Sequence, residues 1–250
     1  MKLIVAKDYE HMSKIGAMMI ASQTLLNPNI VLGLATGSTP VGTYKELIRM
    51  YKDGVADFSK AITFNLDEYV GLKSEDPNSY HYFMRKNFFE QINILTENTH
   101  IPSGIFEDSN TICNEYEKLI NENGGIDLQL LGVGKNGHIG FNEPDIKFED
   151  ITHVVSLDEQ TIKDNARFFG SIDMVPKKAV SMGIKTIMKA RAIILEVTGK
   201  EKAQVLYEAI KGPITPKVPV SALRLHSSAV IIADLASAYK LELKEGVYDV

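Results

Sequence analysis

The chain has a single cysteine, Cys113, and no tryptophan among its 250 residues. One cysteine excludes an intramolecular disulfide framework and a zinc site built from several cysteines, and it fits a reducing compartment. No apolar run approaches the roughly 18 residues that a bilayer-spanning helix requires. The apolar run at the N-terminus is too short for a signal peptide. We therefore expect a cytoplasmic protein with no membrane partner.

Excess basic charge is also missing. Lysine and arginine total 27 against 32 aspartates and glutamates, so the formal net charge is −5. Proteins whose main partner is a nucleic acid usually carry a basic stripe or patch, so we do not expect a nucleic-acid partner. Hydrophobic residues make up 44% and charged residues 24%, which is typical of a globular domain with a sizeable core.

Short apolar segments alternate with segments of helical periodicity along the chain. Several apolar segments have almost no polar interruption, which is typical of strands buried on both faces. The alternation predicts one α/β domain over residues 1–250, with an open, mostly parallel central sheet flanked by helices in a Rossmann-like three-layer sandwich. The predicted strands are 2–6, 29–35, 61–66, 127–133, 152–157, 179–183, 192–197 and 229–234. The predicted helices are 8–26, 40–52, 79–93, 108–123, 200–210 and 234–239.

Small and hydroxyl residues follow the predicted strand 29–35. Ligands of open α/β sheets bind beyond the carboxyl ends of the strands, and here Gly37, Ser38 and Thr39 precede Pro40 and a helical pattern. Free backbone N–H groups at a helix start, together with the helix dipole, suit a phosphate. The lysine of a nucleotide-binding P-loop is missing, which disfavours a nucleoside triphosphate. The alternative is a plain helix cap and tight turn.

Two adjacent carboxylates, Asp67 and Glu68, end the predicted strand 61–66. A carboxylate at a strand end can act as a general base or a metal ligand. Successive side chains of an extended segment face opposite sides, so we expect only one of the two to face a cleft. The alternative for Asp67 is a turn cap, and the role of Glu68 stays open.

The stretch LGVGKNGHIGFNEP, residues 131–144, contains glycines in the G-x-G-x-x-G spacing of dinucleotide sites. That fingerprint should open a long helix, but the residues that follow have no helical periodicity and soon reach Pro144. The glycines are better explained as positions of sharp turning and of close approach by a ligand. A dinucleotide-dependent dehydrogenase is therefore a distant alternative.

Polar side chains crowd the same stretch. His138 can act as a general base near neutral pH. Glu143 is the candidate carboxylate that would orient the imidazole, and Asn136 can hydrogen-bond to either one. A metal site is not expected, because there is no HExxH motif and the other histidines are scattered.

Two cations are candidates for binding an anion. Arg167 follows a polar helical stretch and can clamp a phosphate through two hydrogen bonds. Lys202 lies at the start of a predicted helix, where the dipole disfavours a cation, and that conflict indicates an anionic partner. The alternative for Lys202 is a solvated surface lysine.

Six stretches occur in an order that closely resembles the glucosamine-6-phosphate deaminases, also called glucosamine-6-phosphate isomerases. The stretches are ATGSTP, FNLDEYVGL, GVGKNGHIGFNEP, NARFF, TGKEKA and VSALRLH. The resemblance covers nearly the whole chain. It implies a single α/β domain that converts glucosamine 6-phosphate and water into fructose 6-phosphate and ammonia, without a metal or organic cofactor.

The resemblance also implies roles for the candidate residues. His138 is similar to the base that opens the sugar ring, tuned by Glu143 and Asn136. Asp67 is similar to the carboxylate that moves a proton from C2 to C1. The implied phosphate site consists of Gly37, Ser38, Thr39, Arg167 and Lys202, and the implied mobile lid is the segment 157–177, which carries Arg167.

The chain departs from the family pattern at two places. Many members have Asp where this chain has Asn136, so a full Asp–His relay is missing and Glu143 must do more. Hexameric members are activated by N-acetylglucosamine 6-phosphate through basic residues that fall here on His153 and Val155, and a valine side chain cannot bind phosphate. We therefore expect no such activation, and a monomer or a low-order homo-oligomer.

Two further alternatives remain at this stage. A phosphogluconolactonase-like hydrolase would use His138 to activate water, but lactone hydrolysis has no need of a carbon-to-carbon proton carrier such as Asp67. A non-catalytic sugar-phosphate sensor would carry a DNA-binding domain, for which we expect no room because the first strand begins at residue 2.

Overall fold

Strands and helices alternate along most of the chain in the computed structural model, which describes residues 1–250 apart from the side chain of Phe168. The strands are β1 Lys2–Ala6, β2 Val31–Leu34, β3 Ile62–Asn65, β4 Asp67–Tyr69, β5 Thr99–His100, β6 Leu128–Leu131, β7 His153–Ser156, β8 Lys178–Ser181, β9 Ala192–Val197, β10 Ala229–Asp234 and β11 Gly246–Asp249. The helices are α1 Tyr9–Leu26, α2 Val41–Lys52, α3 Tyr80–Asn87, α4 Ser109–Glu122, α5 Glu159–Phe169, α6 Ile184–Met188, α7 Ala203–Lys211 and α8 Leu235–Ala238. The 3₁₀ turns are Phe89–Gln91, Thr96–Asn98, Ile172–Met174, Lys200–Lys202, Pro219–Leu225 and Tyr239–Leu241.

The central sheet has the strand order β11-β1-β10-β9-β6-β2-β3-β5 within the described residues. Its pairings are parallel, except that β11 runs antiparallel to β1 at one edge. The predicted single domain with a mostly parallel sheet is confirmed. From β2 the chain moves outward through β3 to β5, whereas from β6 it moves the other way through β9 to β10. The switch point between β2 and β6 is therefore where a ligand cleft is expected.

Helices cover both faces of this sheet, which explains the continuous apolar strands. Within β6, Leu128 and Leu130 pack in the cluster that contains residues of α1, α2 and α3. Leu131 belongs to the opposite cluster, which contains residues of α4 and α7. Because neighbouring side chains of a strand point to opposite faces, both sets must be apolar when helices lie on both sides.

Two predicted strands lie outside the central sheet. Segments 152–157 and 179–183 contribute β7 and β8, which form a separate antiparallel sheet in the order β4-β8-β7. β7 is only half-buried along three of its four residues and exposed at the fourth, so it lacks the two covered faces of a central parallel strand. This small sheet lies beside the cleft, because β4 begins at Asp67.

The predicted helix 79–93 is shorter than its pattern indicated. α3 ends at Asn87, and a 3₁₀ turn follows. At the break, the Phe88 ring is buried and stacks on Tyr44 with ring centroids 4.8 Å apart. The anchored ring turns the backbone inward and stops the helix. No helix in the described part of the chain combines the length and apolarity of a bilayer span.

Candidate active site

A cavity of about 570 Å³ opens at the switch point between β2 and β6. Its walls come from the segments that follow β2, β3, β6 and β9, together with the inner face of α5. Among the predicted site residues, those that line it are Gly37, Ser38, Thr39, Asp67, His138, Arg167 and Lys202. Asn136 and Glu143 lie behind His138, to which both are hydrogen-bonded. The fold therefore brings the nine predicted catalytic and phosphate-binding residues together.

The loop after β2 presents backbone N–H groups to this cavity. Gly37 has φ of +101°, a left-handed conformation that only glycine adopts without strain. The amides of Gly37, Ser38 and Thr39 donate to no acceptor among the described residues. Gly37 and Thr39 are half-buried and Ser38 is exposed. Three free amides in one loop at the start of α2 form a suitable anion site.

Two cations flank that loop. Lys202 is half-buried, and its Nζ donates to the Val133 carbonyl oxygen at 2.7 Å. Burial lowers the pKa of Lys202 to about 8. An ammonium has three donors, so two remain for an anion in the cavity. Arg167 projects from the last turn of α5 and lines the same cavity.

The glycine-rich loop after β6 does not begin a helix, in agreement with the rejection of a dinucleotide site. Gly134 shows what one of its glycines does. A Cβ at Gly134 would lie 2.2 Å from Cε1 of His138, and the Gly134 amide donates to the His138 carbonyl at 2.9 Å. A glycine is therefore required so that the imidazole can fold over the loop and reach the cavity.

Glu143 holds the His138 ring. His138 Nδ1 lies 3.2 Å from Glu143 Oε2. Asn136 bridges the pair, since its Nδ2 donates to the same Oε2 at 2.8 Å and its Oδ1 accepts from the His138 amide at 3.2 Å. Burial by itself raises the pKa of Glu143, but the hydrogen bonds from His138, Thr161 and Asn136 outweigh it and bring the pKa below its usual range. Glu143 is thus an ionised partner for an imidazole that gains a proton.

Asn136 suits this arrangement better than an aspartate would. Its amide donates to Glu143, whereas an aspartate in the same place would put a second carboxylate within hydrogen-bond distance of the first. Like charges at that separation force one of them to keep a proton. The departure from the family pattern therefore leaves a single carboxylate, Glu143, as the partner of His138.

Thr161 completes the surroundings of Glu143, and the sequence analysis missed it. Its hydroxyl donates to Glu143 Oε1 at 2.6 Å. Thr161, Asp164 and Asn165 all line the cavity from α5, and their i, i+3, i+4 spacing marks one face of a helix. The same helix carries Arg167, so its cavity face could have been read from that spacing.

The surroundings of Asp67 shift its pKa upward, in the opposite direction to that of Glu143. Asp67 is only 6% exposed, and its carboxylate accepts no hydrogen bond from the described residues. Burial, with a smaller contribution from the charge of Glu68, raises the pKa of Asp67 to about 8. With this pKa much of Asp67 is protonated at neutral pH, and the ionised fraction is the form that can act as a general base and hold a proton briefly.

Glu68 points away from the cavity, as alternation along the strand predicted. Its buried carboxylate accepts from the backbone N–H groups of Tyr69, Tyr80 and His81 at 2.8, 2.9 and 3.0 Å, and His81 Nδ1 lies 2.9 Å away. Two of these amides open α3, so Glu68 caps that helix. The capping role that was the alternative for Asp67 belongs to its neighbour.

Aromatic rings close the side of the cavity near Asp67. Tyr80 stacks on Phe141 with centroids 6.1 Å apart, and Tyr69 meets the edge of Phe169 at 5.4 Å. Such a wall limits water around Asp67, which strengthens electrostatic interactions in the cavity. The described residues contain no group of three or more His, Cys, Asp or Glu arranged to hold a metal ion.

Comparison with known proteins agrees with this geometry. Residues 10–232 match the family model described as glucosamine-6-phosphate isomerases/6-phosphogluconolactonase. The chain belongs to this family. Every predicted site residue lies inside the matched range, so the resemblance noted from short motifs is confirmed over most of the chain.

Relatives of known name within the glucosamine-6-phosphate isomerase/6-phosphogluconolactonase family lie close to this chain. A glucosamine-6-phosphate deaminase of Clostridioides difficile (strain 630) is 53% identical, with 98% of both chains covered. One from Thermoanaerobacter sp. (strain X514) is 56% identical, over 95% of this chain and 94% of the other. A solved monomeric glucosamine-6-phosphate deaminase, described as a missing link of the NagB superfamily, is 46% identical with a TM-score of 0.94, covering 96% of this chain and 99% of that one.

Proposed function

We propose that this protein converts glucosamine 6-phosphate and water into fructose 6-phosphate and ammonia. The phosphosugar is its partner, and its phosphate binds to the Gly37–Thr39 amides, Arg167 and Lys202. His138 takes the proton of the C1 hydroxyl and delivers it to the ring oxygen as the C1–O5 bond breaks. Glu143 stabilises the imidazolium that forms in between.

Asp67 then moves a proton along the open chain. Its carboxylate takes the C2 proton, the ammonium group at C2 gives a proton to the aldehyde oxygen, and an enolamine forms. Asp67 returns its proton to C1, which leaves a hydroxymethyl group at C1 and an imine at C2. Water adds to C2 and ammonia leaves, so the ketone of fructose 6-phosphate remains. The shielded position of Asp67 keeps the carried proton from exchanging quickly with bulk water.

One observation carries the proposal. Asp67 has a pKa raised to about 8 and no hydrogen-bond donor from the described residues, and it shares one cavity with His138 and the loop at Gly37. A lactone hydrolase needs a base for water but has no use for a second, proton-carrying carboxylate facing the substrate carbons. The names of the close relatives also favour deamination.

The test is a direct assay of two reactions. Purified protein is incubated with glucosamine 6-phosphate without added metal or cofactor, and fructose 6-phosphate and ammonia are measured. A parallel sample receives 6-phosphogluconolactone. We expect equal amounts of ketose and ammonia and no lactone opening above the spontaneous rate, whereas lactone opening without ammonia release would refute the proposal.

A pH dependence of ligand affinity follows from the pKa of Lys202. The positive charge of Lys202 is present below about pH 8 and is lost as the pH rises through that value. The phosphate of a sugar phosphate is already a dianion in this pH range. We expect fructose 6-phosphate to bind about tenfold more weakly at about pH 9.5 than at about pH 7. Calorimetry on the Asp67→Asn variant measures this without turnover and without titration of Asp67.

The control for this prediction is Lys202→Met in the same Asp67→Asn background. It should bind fructose 6-phosphate weakly at both pH values, with little difference between them. An affinity of the Asp67→Asn parent that stays constant over the range would contradict a phosphate contact by Lys202.

The segment 157–177 is proposed as a lid over the bound phosphosugar. Its helix α5 contacts the glycine-rich loop through the Thr161–Glu143 hydrogen bond and through Lys135 Nζ, which lies 3.0 Å from Asp164 Oδ1. Arg167 lies near the end of the same helix. A movement of α5 over the ligand would bring Arg167 to the phosphate, and the Thr161–Glu143 hydrogen bond holds the helix in that position.

We also propose a cytoplasmic monomer without activation by N-acetylglucosamine 6-phosphate. Val155 is half-buried and packs against the cluster around Tyr69 and Phe141, so its side chain offers nothing to a phosphate. The monomeric description of the solved relative supports the same proposal. Light scattering and a substrate curve that is hyperbolic with or without the acetylated sugar would agree with it.

A further inference from the structure

The Tyr9 hydroxyl makes three contacts with the loop after β2 and the first turn of α2. It lies 3.1 Å from the Ser38 carbonyl oxygen and 3.1 Å from that of Thr39, to which it donates. It accepts from the Gly42 amide at 2.8 Å. Tyr9 is the first residue of α1 and is not among the described residues that line the cavity. It therefore holds this loop from behind.

The contact with Ser38 fixes the direction of a neighbouring N–H group. The Ser38 carbonyl and the Thr39 N–H belong to one planar trans peptide, in which they point in opposite directions. While the carbonyl is held toward Tyr9, the Thr39 N–H must point away from Tyr9 toward the cavity side. The Thr39 carbonyl is held in the same way, and the next residue, Pro40, has no N–H.

The contact with Gly42 replaces a missing helix cap. The first amides of a helix have no partner within the helix, and a side chain at the cap position normally accepts one of them. Here the cap residue of α2 is Pro40, which makes no side-chain cap hydrogen bond. Tyr9 supplies the acceptor from another helix, so the start of α2 and the loop before it share one anchor.

Tyr9 is itself well fixed. Asp8 caps α1 by accepting from the His11 amide at 2.9 Å, and the Ser13 hydroxyl donates to the Tyr9 carbonyl at 2.8 Å. Burial raises the pKa of the Tyr9 phenol, so the hydroxyl keeps its proton and remains a donor.

We propose that Tyr9 is a positioning residue for the substrate phosphate, which aims the Thr39 amide by holding the Ser38 carbonyl and fixes the loop by holding the Thr39 carbonyl and the start of α2. The proposal rests on the proposed function for the identity of the substrate. The anion site itself can be tested without turnover. Tyr9 touches neither the sugar nor the phosphate, so its removal should weaken binding and leave the chemistry of the bound substrate intact.

The test is Tyr9→Phe, which removes one oxygen and keeps the ring. We expect KM for glucosamine 6-phosphate to rise about three- to tenfold, the loss of one net hydrogen bond in the anchor. The kcat should stay within about twofold of the parent, because Asp67 and His138 are untouched. The Kd of inorganic phosphate, measured by calorimetry, should rise by the same factor as KM.

The matched control is Tyr248→Phe, which removes a hydroxyl that donates to the Lys244 carbonyl at 2.8 Å, far along the chain from the loop. It should leave KM, kcat and the phosphate Kd at parent values. If Tyr9→Phe only lowers the melting temperature, or lowers kcat with KM unchanged, the positioning role is refuted. If the parent does not bind inorganic phosphate, the proposal also fails.

The two proposals fail in different ways. A parent protein that releases no ammonia from glucosamine 6-phosphate refutes the proposed function, but the phosphate Kd still decides the role of Tyr9. A parent that is active, with a Tyr9→Phe variant of normal KM and normal phosphate Kd, refutes only the role of Tyr9.

Discussion

Asp67→Asn is expected to lower kcat for deamination by about 10²- to 10⁴-fold, the usual contribution of a positioned acid–base group. Asparagine has nearly the same shape but cannot take the C2 proton. The Kd of fructose 6-phosphate should change little, because the phosphate contacts at Gly37–Thr39, Arg167 and Lys202 remain. Steady-state kinetics and calorimetry on the same preparations measure both quantities. Loss of affinity with normal turnover of bound substrate would contradict the role of Asp67.

The same substitution should stabilise the fold. The folded-state pKa of Asp67 is about 8 against an ordinary value of 3.8, so the unfolded chain releases the proton more readily than the folded one. Stability is therefore lost as the pH rises from 3.8 toward 8, and Asp67→Asn removes that loss. We expect the free energy of unfolding at neutral pH to rise by about 4 kcal/mol, with a smaller gain near pH 5.

A surface aspartate provides the comparison for both measurements. Asp53 pairs with Arg49 at 3.0 Å on the exposed side of α2, and such pairs contribute little to stability. Asp53→Asn should leave kcat and the pH dependence of unfolding unchanged. An Asp67→Asn protein that melts at the parent temperature at every pH would show that Asp67 is well solvated in the folded state.

His138→Gln has the second largest expected effect. Glutamine can hydrogen-bond but cannot take a proton, so ring opening loses its base and kcat should fall about 10²-fold. Asp67 remains in place for proton transfer from C2, so we expect ring opening to become the slow step of the variant. With substrate deuterated at C2, the isotope effect on kcat should therefore fall toward unity in the variant.

His11→Gln is the control for this prediction. His11 is a half-buried residue of α1 whose Nδ1 lies 3.2 Å from Glu245 Oε1, and it is not among the described residues that line the cavity. It should leave both kcat and the isotope effect at parent values. A full isotope effect in His138→Gln would assign His138 to a step at or after proton transfer, contrary to its proposed role in ring opening.

Local sequence determined the parts of the site whose residues lie close along the chain. His138 and Glu143 are five residues apart on one glycine-rich loop, so a short stretch sufficed to predict their contact. Gly37, Ser38 and Thr39 lie in one turn before a helix, so the local sequence sufficed to predict backbone N–H groups that can face an anion. The continuous apolar strands likewise fixed the fold class, because only a sheet with two covered faces buries both sides of a strand.

Only the tertiary structure decided contacts between distant segments. Thr161 reaches Glu143 across 18 positions, and Tyr9 reaches Ser38 across 29. The tertiary structure also decided that β4, β8 and β7 form a separate antiparallel sheet. It placed the Glu68 carboxylate at the start of α3, and it left the Asp67 carboxylate without a hydrogen-bond donor among the described residues. Burial and partnership set the pKa of each carboxylate, and both are properties of the packed molecule. The sequence alone therefore determined which groups are present. Packing decided that Asp67 is buried without hydrogen-bond donors and that Glu143 is held ionised by its hydrogen bonds.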